Sequence, residues 1–543
     1  MSATLAYLLE LHPVDATATE QRRYFAWGPR EHQPVYKGTL WKSRVVDPLF
    51  SWSAELPLGD QGLGGRSFPG YGTIRLAFDT NSGEASSELA DVGALFFDGR
   101  TVFLFRGPVG GVLLTSAEPT PPGSDFTRVL FGMTQQPTCD EGGCTIPLRD
   151  FAELFDVPFQ THTYLGTGEL EGGEPLTGVA KPFVLGSVRN AVPIVVHQEF
   201  RVFQIHDGPV TFLYVRERGL PFTLTEVPDV FALDEGTLTG GTCYTDSARG
   251  VFRLGAVAQG VITVDATENG LIPMVPGTFT LIHTHATLMR YCVTRNGILA
   301  GVDIDDASVL AFHLEAHGVA GLYVTDATTT CGQLLDALAV SAGAQWGVTV
   351  NGKFFVRQIA FGTPVATFDV ADVAEAPAQV ATEPPVWRHR FQAQRCLQVL
   401  TDSDFRGAWL GSDSISSEEA AYRDFATKEY RVIETTTGTT KTHRKLARIL
   451  LETGCYRDPS DHAVEAARRA TFLAQDRQRW TVTVRQQFNQ LQVGDTITLT
   501  YPLLGLADGQ DYLITGKTER PALDPQEDLT ELKLYGPRQG GDG

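Results

Sequence analysis

The chain has 543 residues, of which 42% are hydrophobic and 20% charged, a composition typical of folded proteins rather than disordered ones. A formal net charge of −20 argues against nonspecific nucleic-acid binding, because the field of the whole molecule repels phosphates. The length exceeds what one hydrophobic core supports, so we expect about three to five domains.

Targeting and redox features point to synthesis in a reducing cytoplasm. The N-terminal stretch has no basic region, its apolar run is interrupted by Glu10, and no stretch is long and apolar enough to span a membrane. The cysteines are odd in number and widely scattered, which does not favour a disulfide framework. They are Cys139, Cys144, Cys243, Cys292, Cys331, Cys396 and Cys455.

The first third of the chain alternates short β-type runs with glycine turns. Residues 38–47, 72–79 and 98–107 are predicted strands, and Asp98-Gly99 is a turn signal. Residues 147–159 are predicted to contain one short helix. A second β-rich block follows from Lys181 to about Asp265, with a turn at residues 206–208.

The periodicity changes to helical between residues 284 and 355. Residues 286–297, 305–318 and 331–347 place apolar residues three and four apart, and each stretch contains a glycine suited to end a helix. Asn351-Gly352 then predicts a hairpin. Residues 374–387 are rich in proline and alanine and predict a linker, after which 440–454 and 460–479 are predicted to contain helices, with Ser460 as the N-cap of the second.

The chain closes with strands predicted at 479–486, 495–502, 510–519 and 529–536. The predicted fold is mainly β with α+β parts: several β-barrel or β-sandwich-like modules, an α/β insertion and a C-terminal helix-plus-barrel segment. The predicted domains are 1–180 (an N-terminal β-barrel), 181–272 (β-rich), 273–373 (α/β), the linker 374–387, and 388–543, which can pair with an earlier barrel.

No nucleophile–base, phosphate-loop, dinucleotide or zinc-peptidase motif occurs, so we predict a protein that is not an enzyme and that needs no cofactor. His283 and His285 are candidate metal ligands or ordinary packed residues. Cys139 and Cys144 either form a loop disulfide or remain free thiols. The acidic run 301–308 is either a calcium loop or the N-cap of the next helix through Asp305 or Asp306, and the cap is favoured because the run lacks the EF-hand glycine and final glutamate.

The stretch "RQQFNQLQVGDTITLTYPLLGLADGQDYLITGKTE" followed by "TELKLYG" resembles the C-terminal segment of hub proteins in the tail tips of long-tailed, siphovirus-like bacteriophages and gene-transfer-agent-like tails. Three earlier stretches resemble the same family in the same order. They lie within residues 38–107, 175–223 and 303–356. In the hairpin, the matching positions are Gly494, Asp495, Pro502, Gly505, Leu506 and Gly509.

The resemblance implies a structural virion protein at the baseplate or tail tip, made in the host cytoplasm. It implies a homotrimer that connects the distal tail protein ring to the tape-measure C-terminus and the tail fibre or tip proteins, around a channel that DNA passes without specific binding. The alternatives are a receptor- or glycan-binding tail protein, with Tyr7, Tyr24, Phe25 and Trp27 as candidate binding aromatics, and a cell-wall hydrolase fused to a tail module. We expect acidic and neutral side chains on the channel wall, with the basic run Lys441–Arg448 facing partners or solvent.

Overall fold

The computed structural model describes most of the chain. The described residues are 5–27, 35–36, 39–40, 42–45, 52–56, 58–59, 62–78, 94–108, 126–269, 272–275, 278–280, 283–295, 303–316, 318–401, 403–405, 417–438, 442, 445, 447–485, 490–522, 524 and 527–538.

The strands are numbered in chain order. The first group is β1 (Leu5–Leu11), β2 (Arg23–Trp27), β3 (Val35–Tyr36), β4 (Thr39–Leu40), β5 (Lys42–Ser43), β6 (Trp52–Glu55), β7 (Leu58–Gly59), β8 (Gly62–Leu63), β9 (Gly65–Arg66), β10 (Phe68–Gly70), β11 (Thr73–Ala77), β12 (Arg100–Pro108), β13 (Thr127–Thr134), β14 (Thr138–Asp140) and β15 (Gly143–Arg149). The second group is β16 (Phe183–Ala191), β17 (Ile194–His197), β18 (Val202–Gln204), β19 (Val210–Glu217), β20 (Leu220–Pro221), β21 (Thr223–Glu226), β22 (Thr242–Asp246), β23 (Val251–Leu254), β24 (Ile262–Glu268), β25 (Ile272–Val275), β26 (Thr278–Thr280), β27 (Asp303–Ile304) and β28 (Gly321–Val324).

The remaining strands lie after residue 340. They are β29 (Ala344–Val348), β30 (Lys353–Gln358), β31 (Ala366–Phe368), β32 (Val373–Glu383), β33 (Val386–Ala393), β34 (Arg431–Thr436), β35 (Arg448–Thr453), β36 (Arg477–Arg485), β37 (Thr496–Leu499), β38 (Gln510–Arg520) and β39 (Leu529–Pro537). The α-helices are α1 (His285–Thr294), α2 (Asp306–Glu315), α3 (Cys331–Ala342), α4 (Ser417–Ala426) and α5 (Pro459–Leu473), and short 3-10 helices span Phe151–Phe155, Glu169–Glu171, Glu174–Leu176 and Glu235–Thr237. The predicted mainly β, multidomain fold is confirmed.

Two eight-stranded sheets share the largest hydrophobic core. The N-terminal sheet has the order β11-β15-β13-β12-β1-β2-β5, with β14 paired to β15. Its strands form where apolar and polar residues alternate: in β11, Ile74 and Leu76 are buried while Thr73 and Arg75 are exposed. The inward side chains of this sheet pack against residues of the C-terminal strands, among them Leu513 and Tyr535.

The C-terminal sheet combines strands from both ends of the chain. Its order is β10-β6-β38-β39-β36-β32, with β37 on β38 and β31 on β37. The pairing of β6 with β38 joins residues 52–55 to residues 516–519, so strands of the 388–543 segment share a sheet with strands from the N-terminal part of the chain. Residues 373–383, which overlap the predicted linker 374–387, pair with β36 and form an edge strand.

The second β-rich block forms two five-stranded sheets, with orders β20-β19-β24-β16-β28 and β17-β18-β23-β22-β21. The predicted turn at His206–Gly208 connects β18 to β19, which lie in different sheets, because each strand finds its partners elsewhere in the chain. Val184, Val264 and Phe252 are fully buried between the two sheets. The block is therefore a sandwich with its own core.

The three helices predicted between 284 and 355 are confirmed as α1, α2 and α3, packed beside the sheet β27-β30-β29-β9. Asp305 caps α2 by accepting from the Ser308 amide, which is the cap that the sequence favours. Thr330 and Gln333 form a capping box at the start of α3, and Gly343 ends it with a φ of +59°. The Asn351-Gly352 turn joins β29 to β30 as predicted.

The C-terminal helical segment differs from the prediction. Within the predicted helix 440–454, the described residue Thr442 is helical, but residues 448–453 form β35, a strand parallel to β33. Helix α4 is one that the sequence analysis did not predict. In β35, Leu450 and Glu452 are buried while their neighbours are exposed, which is a strand periodicity that the apolar spacing concealed. Helix α5 is confirmed, but its N-cap is Asp458 rather than Ser460, and Pro459 is its first residue. Residues 441, 443, 444 and 446 of the basic run lie outside the described residues.

Candidate functional site: the C-terminal hairpin

The hairpin of β37 and β38 has a short paired stem and a structured tip. Thr496 pairs with Leu513 and Leu499 with Gln510, and the Thr498 hydroxyl donates to Asp511 Oδ1 at 2.6 Å across the strands. In the tip, the Tyr501 amide donates to the Leu506 carbonyl and the Gly509 amide donates to the same carbonyl. These bonds fix the shape of the loop without any ligand.

The tip exposes two leucines, one of which has a backbone conformation that is unfavourable for leucine. Leu503 is 65% exposed and Leu504 53% exposed, whereas Leu506 is buried. Leu504 has a φ of +64°, in the left-handed region that costs an L-residue free energy. The next residue, Gly505, has a φ of +76°, as does Gly509, and glycine adopts both without strain. The fold therefore holds an apolar pair outward at the end of a rigid hairpin.

The base of the hairpin is bonded to the α/β unit. Gly494 has a φ of +92°, and its amide donates to the Ile514 carbonyl. The Asp495 carboxylate accepts from Arg357 at 2.6 Å and from the Gln492 amide at 2.8 Å. Beside it, the Gln345 side-chain amide donates to the Val493 carbonyl at 2.8 Å.

These bonds join β29 and β30 to the hairpin, because Gln345 lies on β29 and Arg357 on β30. Gly494, Asp495, Pro502, Gly505 and Gly509, all predicted from the sequence as one turn motif, lie in this single structure. Pro502 is an exposed tip residue.

The candidate metal ligands His283 and His285 lie at the start of helix α1. His283 precedes α1, and His285 is its first residue, where it is fully buried. Burial, with Arg469 nearby, lowers the pKa of the His285 imidazole to about 3. Within the described ranges, no group of three or more His, Cys, Asp or Glu side chains is placed to hold a metal ion.

His285 instead belongs to a polar cluster that sequence reasoning missed. Its Nε2 lies 2.7 Å from Ser341 Oγ and 3.7 Å from Cys455 Sγ. Burial raises the pKa of the Cys455 thiol to about 11, so at neutral pH both the thiol and the imidazole are uncharged. This cluster therefore lacks the thiolate that a cysteine nucleophile requires. No local signal reveals it, since the three residues come from distant parts of the chain.

A fully buried ionic network lies next to this cluster. The Arg469 guanidinium donates to Glu452 Oε1 and to Glu465 Oε1, both at 2.7 Å, and to the Ser341 carbonyl. His389 Nε2 lies 2.7 Å from the other Glu452 oxygen. Burial alone would raise the pKa of Glu452, but Arg469 and His389 outweigh it and lower that pKa. The network ties β35 to α5 and to the end of α3.

Cys139 and Cys144 face each other across the β14–β15 hairpin, and the structure joins them by a disulfide. Cys139 is exposed and Cys144 is buried. Asp140 accepts from the amides of Gly142 and Gly143 and pairs with Arg75, which stabilises the turn between the two cysteines.

The N-terminal aromatic residues are not a binding surface. Tyr7, Phe25 and Trp27 are buried in the core, with the Tyr7 and Trp27 ring centroids 5.2 Å apart, and Tyr24 packs against a neighbouring cluster. Alternation along β1 and β2 places Tyr7, Phe25 and Trp27 in the core shared by the two eight-stranded sheets. Of the described helices, none combines the length and apolarity needed to cross a membrane.

Comparison with known proteins gives structural likenesses only. No family model matches the chain, and no curated protein matches its sequence. The similar solved structures include a 43 kDa tail protein of prophage MuSo2 from Shewanella oneidensis, at 10% identity and a TM-score of 0.34 over 97% of this chain and 98% of that one. They also include a tail protein from Neisseria meningitidis MC58, at 8% identity and a TM-score of 0.39 over 97% and 96%.

A third similar structure is the virion of a native gene transfer agent particle, at 13% identity and a TM-score of 0.40 over 72% of this chain and 92% of that one. TM-scores below 0.5 do not establish a common fold.

Proposed function

We propose that the protein is a structural component of a phage-like tail, the hub of the baseplate or tail tip. In this role three copies form a ring that connects the distal tail ring to the tip and central fibre and surrounds the channel through which DNA leaves. Its partners are the distal tail protein, the C-terminus of the tape-measure protein and the fibre or tip proteins. The proposal assigns the chain no enzymatic activity and places it in the virion after synthesis in the host cytoplasm.

The observation that carries the proposal is the colinear order of the four sequence stretches that resemble tail-tip hubs. The last of them contains the hairpin of β37 and β38, whose base is bonded to the α/β unit through Asp495 and Arg357. A ring subunit must transmit load between its modules, and joints made of paired strands and buried polar contacts do so without catalytic residues. The shared core of the two eight-stranded sheets serves the same requirement.

The exposed pair Leu503–Leu504 gives the proposal a specific contact. We infer that this hairpin tip packs against the neighbouring ring in the tail, because covering two adjacent exposed leucines on a well-bonded loop removes apolar surface from water. The variant that tests this contact replaces Leu503 by Ser and Leu504 by Asn. Asn tolerates the φ of +64° at residue 504, so the loop should keep its shape.

The control for this test is Val257→Ser, which removes an apolar side chain that is 66% exposed elsewhere. The tip variant should fold as the wild type does but enter particles poorly, whereas the control should assemble normally. Equal incorporation of both variants would contradict the role of the tip.

The test of the hub assignment itself is location and copy number. Gold-labelled antibody against the protein should mark one end of purified tails, and a reconstruction of isolated tips should contain three copies with mainly Asp, Glu and neutral polar side chains on the channel wall. Six copies in a ring would refute the trimer, and a wall rich in Lys and Arg would refute the proposed channel charge. Label along side fibres, or on no particle, would remove the hub assignment and favour the receptor-binding alternative.

A further inference from the structure

Two neighbouring cavities meet at a shared wall between the β-sandwich, the α/β unit and the C-terminal segment. The larger, of about 770 Å³, lies against α4, and the smaller, of about 410 Å³, lies between α3, β28 and residues 453–457. Both volumes are in the range of small-molecule sites. Arg189 and Gln394 line both cavities.

The charge of this lining is opposite to that of the molecule. The chain has 44 basic and 64 acidic residues, yet the two cavities are lined by more arginines than carboxylates. The arginines are Arg189, Arg216, Arg395, Arg431 and Arg457, and the carboxylates are Asp336, Glu418 and Glu419. Arg216 and Arg395 are paired with Asp265 and Glu429, so the favourable field that an anion meets here comes mainly from Arg189 and Arg457.

A β-bulge directs Arg189 towards the cavities. The pairing register of β16 on β24 shifts between Val188 and Ala191. Asn190, which lies between these two residues, has a φ of +56°. The Asn190 amide donates to Asp265 at 2.8 Å, and the Tyr422 hydroxyl donates to Asn190 Oδ1 at 2.7 Å. Gln394, across the shared wall, also has a positive φ, of +52°. Bulges and left-handed residues that are held in this way commonly re-aim a side chain at a functional site.

Arg189 reaches the cavities without a counter-ion. Its guanidinium lies 3.8 Å from the centroid of the Phe425 ring, and among the described residues it has no hydrogen bond or ion pair. The nearby Asp265 is already paired with Arg216 at 3.0 Å. Burial, together with Arg457 and Arg216, lowers the pKa of Arg189 despite the opposing effect of Asp265.

Arg457, on the wall of the smaller cavity, likewise has no ion pair or side-chain hydrogen bond within the described part of the chain. Two half-buried guanidinium groups that are not neutralised cost folding free energy, and an anionic ligand would remove that cost.

We propose that the smaller cavity binds a small organic oxyanion, a carboxylate or a phosphate ester, held between the guanidinium groups of Arg189 and Arg457. The planar fork of N–H donors on each arginine matches the oxygens of either group. Leu322, Tyr323 and Leu397 supply an apolar wall for the rest of the ligand. This site is independent of the tail assignment and does not rest on it.

The experiment measures labelling and binding in the full-length protein. Phenylglyoxal, which reacts with accessible guanidinium groups, should modify Arg189 and Arg457, as mapped by mass spectrometry. Citrate and inorganic phosphate are the two probes, each compared with sodium chloride at the same ionic strength. Protection of both arginines by a probe but not by chloride supports the site. Protection by citrate alone identifies a carboxylate ligand, and protection by phosphate alone identifies a phosphate ligand.

The variants separate binding from structure. Arg189→Gln should weaken probe binding, measured by calorimetry, by about tenfold or more, since one charge-assisted contact is lost. Without ligand, its melting temperature should equal or exceed that of the wild type, because an unneutralised charge has been removed. Arg520→Gln removes one positive charge from a surface residue that is 64% exposed and should leave binding unchanged.

Arg457→Gln provides an independent second variant and should weaken binding in the same way. The proposal is overturned if neither probe protects the arginines beyond the effect of chloride, or if both glutamine variants bind the probes as tightly as the wild type. A melting temperature of Arg189→Gln well below that of the wild type, with probe binding retained, would assign Arg189 to packing on Phe425 instead.

Discussion

Gly494→Val should open the base of the C-terminal hairpin. The φ of +92° at this residue costs a β-branched side chain about 1–3 kcal/mol. A Cβ at this position would also lie 2.4 Å from Gln345 Nε2, the atom that donates to the Val493 carbonyl. Displacing that amide leaves a buried carbonyl without its donor, which costs about 1–3 kcal/mol more. The expected total is about 2–6 kcal/mol.

Native-state hydrogen exchange is the appropriate assay, because a chain of 543 residues with several cores does not unfold in one step. The Ile514 amide donates to the Asp495 carbonyl at the base of the hairpin, so its protection reports local opening. A loss of 2 kcal/mol corresponds to a protection factor lower by about 30-fold. Amides of the distant β-sandwich, such as that of Val264, should keep their protection.

Two controls separate backbone strain from the steric clash. Gly241 has a φ of +83° but open space where a Cβ would stand, so Gly241→Val should show the strain cost alone. In a Gln345→Ala background the clash is absent, and Gly494→Val should then cost about 1–3 kcal/mol. Equal losses for Gly494→Val and Gly241→Val, or wild-type protection of Ile514 in the Gly494 variant, would refute the reasoning.

Three further predictions concern stability. Asp150 is buried, and burial raises the pKa of its carboxyl to about 7, so between about pH 4 and pH 7 the folded state holds a proton that the unfolded state has released. The stability of the protein should therefore fall as the pH rises through this range. Asp150→Asn should raise the melting temperature more at pH 8 than at pH 5, and equal shifts at the two pH values would contradict this. Arg469→Met should cost about 3–5 kcal/mol of local stability by native-state hydrogen exchange, since it removes the buried guanidinium that two buried carboxylates share and leaves Glu452 only His389 and Glu465 only Arg468, and adding Glu452→Gln should recover part of the loss. Under non-reducing conditions the intact mass should show Cys139 joined to Cys144. Cys139→Ser should lower the free energy of unfolding by about 2 kcal/mol, because a short cross-linked loop is lost. A melting temperature that a reducing agent leaves unchanged would argue that the two thiols are free.

Local sequence patterns predict the turns of the candidate site, but they do not predict its long-range contacts. The glycines of the hairpin predict its turns, because only glycine adopts a positive φ without strain. Gly494, Gly505 and Gly509 all have a positive φ. The bonds that give the hairpin its role, from Gln345 and Arg357, come from strands more than 130 residues earlier in the chain. Nothing in the sequence near either residue indicates that partner.

By itself, the sequence determined the mainly β character, helices α1 to α3 and α5, and the hairpins at Asn351-Gly352 and at residues 496–520. These features follow from side-chain periods of 2 and 3.6 residues and from turn chemistry, which are local properties of the backbone. The tertiary structure alone decided that β6 pairs with β38, that β35 is a strand around the buried Glu452, and that Arg189 and Arg457 meet at one cavity. Each of these depends on a partner distant in the chain, and the choice among possible partners is made by burial and packing of the whole molecule rather than by any local pattern.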